Sequence, residues 1–139
     1  MRRYLLDTNV VLRALLNDEP GQHAEARELF RGAAKGEYRL LASELLFAEV
    51  IWVLVQSPAY RLDRKVIATR LRLLLEQPEI EAVHGNQTEL VRALQTFGDS
   101  SLDLMDCLVI AVAEQSGHSI ATFDRALRKA TSAPCWEPA

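Results

Sequence analysis

The sequence predicts an α/β fold: a three-layer sandwich whose central parallel sheet of four to five strands is flanked by helices. Two observations predict it. Short apolar segments alternate with longer segments of helical period, and strands joined by helical crossovers pair in parallel. Hydrophobic residues make up 49% of the 139, enough to cover both faces of a sheet. A chain of this length is expected to form one domain, residues 1–139, and no repeat, low-complexity tract or Pro/Gly/Ser-rich linker divides it.

Taken in order, the first strand is Tyr4-Leu5-Leu6, which runs straight into Asp7-Thr8-Asn9. Helices are expected over 9–16 and 21–34, then a strand at Arg39-Leu40-Leu41-Ala42. The next helix covers 43–56 with Ser43 as its N-cap, and another covers 63–76, capped by Asp63 and closed off by Pro78. A strand at Ile80-Glu81-Ala82-Val83 precedes helices over 86–97 and 102–116, the second stopped at Gly117. Ser119-Ile120-Ala121-Thr122 and, more weakly, Pro134-Cys135-Trp136 complete the strands. In such sheets, functional groups collect at the carboxyl ends of the strands.

Several classes are excluded early. No apolar run approaches the ~18–20 residues needed to span a bilayer. The start, Met1 to Leu6, has the look of a signal peptide, yet Asp7 and Arg13 interrupt it and no small-residue cleavage site follows, so a cytoplasmic protein is expected. Cys107 and Cys135 form no CxxC pair, and Cys107, inside an apolar helical pattern, reads as a buried, reduced thiol. The net charge of −3 gives no global attraction to nucleic acid, which leaves local patches and bound metal to decide the matter.

The informative residues are acids in the wrong company. Asp7 directly follows the first strand; alone, it reads as a helix N-cap. Glu49 falls four after Leu45 and four before Val53, on or beside the stripe expected to face the core, where an unpaired carboxylate is costly. Glu44, in the first turn of the same helix, simply suits its dipole. From Leu104 to Ala113 only Asp106 is charged, so this helix is expected to be buried nearly all round. The dipole is worth only ~0.3–1 kcal/mol, too little to keep a buried Asp106 without a cation, whereas Asp103 is explained as a cap. Asp124 follows the Ser119–Thr122 strand and either caps the helix near Arg125 or joins the other acids. Carboxylates that converge repel one another, and a hard divalent cation, Mg²⁺ or Mn²⁺, relieves them. Zinc is disfavoured because no His or Cys stands at ligand spacing with these acids.

With these segments in view, the sequence resembles the PIN-domain family and, within it, the VapC-type toxins of bacterial toxin–antitoxin pairs. Leu5-Leu6-Asp7-Thr8-Asn9-Val10, Ser43 to Val50, Asp103 to Ala111 and Ala121-Thr122-Phe123-Asp124 carry the resemblance, in order and over the whole chain. It implies that Asp7, Glu49, Asp106 and Asp124 are catalytic, with Asp7, Asp106 and Asp124 as metal ligands. Thr8, Asn9 and Thr122 match supporting polar positions, and Asp103 is an additional acid able to share the role of Asp106. It further implies Mg²⁺- or Mn²⁺-dependent cleavage of RNA, a homodimer, and inhibition by a cognate antitoxin whose arginine would enter the acidic pocket.

Other residues are weighed against this reading. His23, His84 and His118 sit in polar or turn-like settings, and surface placement is expected for each. Arg61, Arg64, Lys65, Arg70 and Arg72 cluster about one helix and read as a solvated face; Arg125, Arg128 and Lys129, after Asp124, are better placed to meet a phosphate. Leu12, Leu15, Leu29 and Phe30 read as core in preference to a partner groove. Two competing functions remain at this stage. An Asp-nucleophile phosphatase of the haloacid-dehalogenase-like pattern wants a second acid where this chain has Asn9. A receiver-like metal-binding interaction module wants paired acids after the first strand and a lysine after a late one; the acids are not paired and no lysine follows a late strand at suitable distance.

Overall fold

The computed structural model describes residues 1–57, 60, 62–83 and 86–138, so Arg61 and His84 lie outside the described residues. Strands β1 (Arg3–Leu5), β2 (Arg39–Ala42) and β3 (Ile80–Ala82) form a parallel sheet in the order β1-β2-β3. Tyr4 stands opposite Leu40, and Leu40 opposite Ile80. Helices α1 (Thr8–Leu15) and α2 (Pro20–Ala34) carry the chain from β1 to β2. Helices α3 (Glu44–Gln56) and α4 (Arg64–Leu75) carry it from β2 to β3. Helices α5 (Gln87–Asp99), α6 (Leu104–Ser116) and α7 (Arg125–Ala130) follow. The α/β class with a parallel sheet flanked by helices is therefore as expected.

Among the described residues the expected four to five strands are three. Residues 119–122 and 134–136 run parallel but meet at one bridge, Ile120 with Cys135. Its two hydrogen bonds run from Ile120 N to Pro134 O and from Trp136 N to Ile120 O, each 2.8 Å. The ladder goes no further because Pro134 has no N–H to donate and the chain beyond Thr122 turns into the cap of α7. In consequence β1 is an exposed edge strand: Arg3, Tyr4 and Leu5 are open to solvent, and Leu6, just beyond, is buried.

Caps and stops set the helix limits. Ser43 Oγ accepts from Leu46 N, Asn86 Oδ1 accepts from Thr88 N, and Gly117, at φ 70°, takes the left-handed C-cap position that glycine occupies without strain. One hydrophobic cluster joins β2, α3, α4, α5 and α6 through Leu40, Phe47, Val50, Leu71, Leu94, Phe97 and Cys107. Helices α4 and α5 approach so closely that a Cβ on Gly98 would lie 2.9 Å from that of Ala68. Cys107 is fully buried, which pushes its thiol up to about 11, and both cysteines are free. Leu12 is core, with Leu15, Leu29 and Phe30 packed against it.

Helix α6 departs from expectation. Leu104, Cys107, Leu108, Ile110, Ala111 and Ala113 are buried, but Met105, Val109 and Val112 are exposed. It lies against α5 with one face and leaves the other uncovered. No helix among the described residues is long and apolar enough to cross a membrane.

Candidate functional site

Asp7 leaves the end of the first strand, where Leu6 N still bonds Leu41 O, and stands at the N-cap position of α1. Its carboxylate makes no capping hydrogen bond, so capping does not account for it. The next side chain does find a partner: Thr8 Oγ1 donates to Glu49 Oε2, tying the start of α1 to the middle of α3. Glu49 is exposed, which corrects its expected place beside the core stripe. The buried face of α3 is Leu46, Phe47, Val50, Ile51 and Leu54, while Leu45 and Trp52 are 72% and 65% exposed. Glu49 belongs to that open face and is held there by Thr8. Asn9 is exposed and lines a groove with Arg13, Gln22 and Leu29 between α1 and α2, with no hydrogen bond to the acids among the described residues.

The second group gathers at the start of α6. Asp103 is its N-cap, Oδ1 accepting from Asp106 N at 2.8 Å, as expected of a cap. Asp106 is half-buried, and its carboxyl is held above the usual carboxylate range by burial first and then by the charges of Asp103 and Asp124. That electrostatic coupling places Asp124 in the same neighbourhood. Asp124 caps α7 through Oδ1, which accepts from Ala126 N and Leu127 N at 2.8 and 3.1 Å. Its own backbone N–H donates to Thr122 Oγ1 at 3.0 Å, which fixes the turn leading into α7.

One acid of each group, Asp103 and Glu49, borders a depression. A cleft of about 390 Å³ is lined by Ala48 and Trp52 of α3 together with Arg64, Asp103 and Met105. A second is lined by Leu45, Ala48, Glu49 and Trp52, so that Ala48 and Trp52 line both.

Two arginines expected to be free cations are instead braces. Arg64 lies 3.8 Å from the centre of the Phe97 ring and donates to Phe97 O and Leu102 O, pinning the loop that delivers Asp103. Arg128 donates to Thr122 O at 3.1 Å and Trp136 O at 2.6 Å, and pairs with Glu137. Lys65 pairs with Asp99, Arg72 with Glu76, and Arg70 reaches Leu15 O. Nothing in the sequence announces these partners, since Arg64 and Phe97 are 33 positions apart. Arg125 and Lys129 are exposed and make no ion pair among the described residues. Of the histidines, His118 is exposed as expected, whereas His23 is half-buried with Nδ1 2.7 Å from Arg13 O.

Whether these residues suit a divalent cation can be tested on their charge. Asp7, Glu49, Asp103, Asp106 and Asp124 have no ion pair among the described residues, and Asp106 is pressed by two like charges. No three acidic, histidine or cysteine side chains among the described residues form a ready-made cage. Mg²⁺ does not demand one: it keeps several waters and is bound through one or two carboxylates plus substrate phosphate. The oxygen chemistry and negative charge of these acids suit such an ion; Asp103, Asp106 and Asp124 act on one another, while no hydrogen bond joins Asp7 or Glu49 to those three among the described residues.

The sequence matches the PIN domain family over residues 4–132, a span that includes Asp7, Thr8, Asn9, Glu49, Asp103, Asp106, Thr122 and Asp124. No curated protein matches it.

Proposed function

The chain belongs to the PIN domain family, and on that premise we propose that it is a Mg²⁺- or Mn²⁺-dependent endoribonuclease, one domain over residues 1–139. PIN domains are in general nucleases that use divalent metal. The observation that carries the reading is the acidic cluster at the start of α6, where burial first and then the charges of Asp103 and Asp124 raise the carboxyl of Asp106, and none of the three makes an ion pair among the described residues.

Asp7, Asp106 and Asp124 would hold the ion, with Asp103 sharing the load of Asp106 and Glu49 completing the acidic wall. A bound divalent ion lowers the pKa of the attacking water and offsets charge developing on the phosphate. The chain's own residues do the positioning. Thr8 orients Glu49, Thr122 and the α7 amides orient Asp124, and the Asp106 amide orients Asp103. Each of Asp103 and Asp124 accepts its capping hydrogen bonds through Oδ1.

Within the family, the toxin of a bacterial toxin–antitoxin pair of the VapC type, cytoplasmic and homodimeric, is the reading we favour. Exposed apolar faces support the partners: Leu45, Trp52 and Val55 on α3, and Met105, Val109 and Val112 on α6, are large surfaces for a lone chain to leave wet. A cognate antitoxin that places an arginine among the carboxylates would silence the site by occupying the place of the cation.

The test is cleavage of total RNA with Mg²⁺, Mn²⁺ or EDTA, with Asp7→Asn run beside the parent. Cleavage that needs the metal and falls at least about a hundredfold in the variant is expected. Equal cleavage by parent and variant, or in EDTA, would overturn the reading.

A further inference from the structure

We propose that Phe123 and Trp136 form a stacking platform for an unpaired base of single-stranded RNA, next to the acid Asp124. The inference rests on the nuclease reading and adds to it where the substrate is gripped.

Phe123 is 88% exposed, the most exposed large hydrophobic side chain among the described residues. It does not stand alone. Its ring meets that of Trp136, itself 48% exposed, at a centroid distance of 6.0 Å and an angle of 79°. Rings set edge to face brace one another, and the exposures leave aromatic surface open on both.

The backbone beneath the pair is built, not frayed. Arg128 grips Thr122 O, one residue before Phe123, and Trp136 O, so a single guanidinium holds both aromatic residues in register. Trp136 N donates to Ile120 O, and Asp124 on the other side of Phe123 is fixed by Thr122 Oγ1 and the first amides of α7. A platform fixed before the ligand arrives costs little entropy when it binds.

The surroundings select the ligand. Phe123 adjoins an acid assigned to the cation, and Arg125 and Lys129 stand just beyond with no ion pair among the described residues. Aromatic faces next to free cations are how single-stranded nucleic acid is gripped: the cations follow phosphates and each base offers a π-face. Bases inside a duplex are already stacked and do not reach such a platform. A protein partner would want a broader apolar surface than two rings among charges, and a second copy of the chain is the rival occupant the test must separate.

The experiment measures binding of a fluorescein-labelled single-stranded RNA dodecamer, and of the same sequence as a duplex, by anisotropy in EDTA so that nothing is cut. The parent, Phe123→Ala, Phe123→Trp and Trp136→Ala are compared, with sedimentation of each. Phe123→Ala should weaken single-strand binding by roughly fivefold to a hundredfold, Trp136→Ala should weaken it as well, and Phe123→Trp should restore it. Duplex binding should hardly move. Unchanged single-strand binding by Phe123→Ala, an equal loss on duplex, or a loss that tracks dissociation of a dimer would overturn the platform. Each of those outcomes leaves the nuclease reading standing if Asp7→Asn still abolishes cleavage; a parent that cuts no RNA with either metal removes the nuclease reading itself.

Discussion

Helix α6 carries a half-buried carboxylate near each end, and the two are driven in opposite directions. Asp106, in its first turn, is raised by burial and by Asp103 and Asp124. Glu114, near its other end, is lowered by the Ser132 N–H above all, with Thr131 and Arg92 assisting. Ser132 N and Thr131 Oγ1 donate to the same oxygen, Glu114 Oε1, at 2.9 and 3.0 Å, and Arg92 lies 3.9 Å from Oε2. The helix dipole alone would order them the other way, since it favours negative charge at the N-terminus and opposes it at the C-terminus. Near neighbours outweigh the dipole at both ends. A carboxylate surrounded by donors is a structural tie. A half-buried carboxylate beside other carboxylates lacks that compensation, which is the charge the proposed cation would meet.

The sharpest way to break this comparison is to remove the tie. Glu114→Ala should lower stability by about 1–2 kcal/mol at neutral pH, since it deletes charge-assisted bonds that dock the segment after α7. Because the folded-state pKa of Glu114 is depressed, its contribution is present above the ordinary carboxylate pKa and fades as pH falls through the lowered value. The gap between parent and variant in urea titrations should therefore close in acid. A gap that persists in acid would mean that Glu114 acts through packing and not through charge.

A smaller effect of opposite sign is expected at the other end. In EDTA, Asp106→Asn should melt about 2–4 °C higher than the parent at neutral pH, because it removes a repelled charge without removing volume. The sign follows from the raised pKa: the parent's relative stability is complete at low pH and is lost as pH rises through the elevated value. Below the ordinary carboxylate range the two proteins should therefore melt together. A lower melting temperature for Asp106→Asn at neutral pH would show that the carboxylate is a structural tie like Glu114.

The outline of this molecule could be read from its sequence because its signals are local. Ser43, Asn86 and Gly117 mark helix limits through bonds to residues a few positions away. Asp7, Asp103, Asp106 and Asp124 were likewise visible as charges set at strand ends and helix starts. What was illegible depends on contacts far along the chain. Leu45 counts as core by its spacing, and only the packing shows α3 turned so that Leu45, Glu49 and Trp52 face outward. Residues 119–122 have the composition of a strand, yet whether a ladder forms depends on a neighbour that arrives with Pro134 and cannot donate. Arg64 and Arg128 look like two more surface cations until Phe97, Leu102 and Trp136 come to meet them.

The most direct test of the central claim is calorimetric titration of Mn²⁺ into the metal-free whole chain and into Asp106→Asn. Saturable binding by the parent that weakens at least about tenfold in the variant is the result expected if the unmatched charge at the start of α6 receives the cation. No binding by the parent, or identical titration curves for the two proteins, would contradict it.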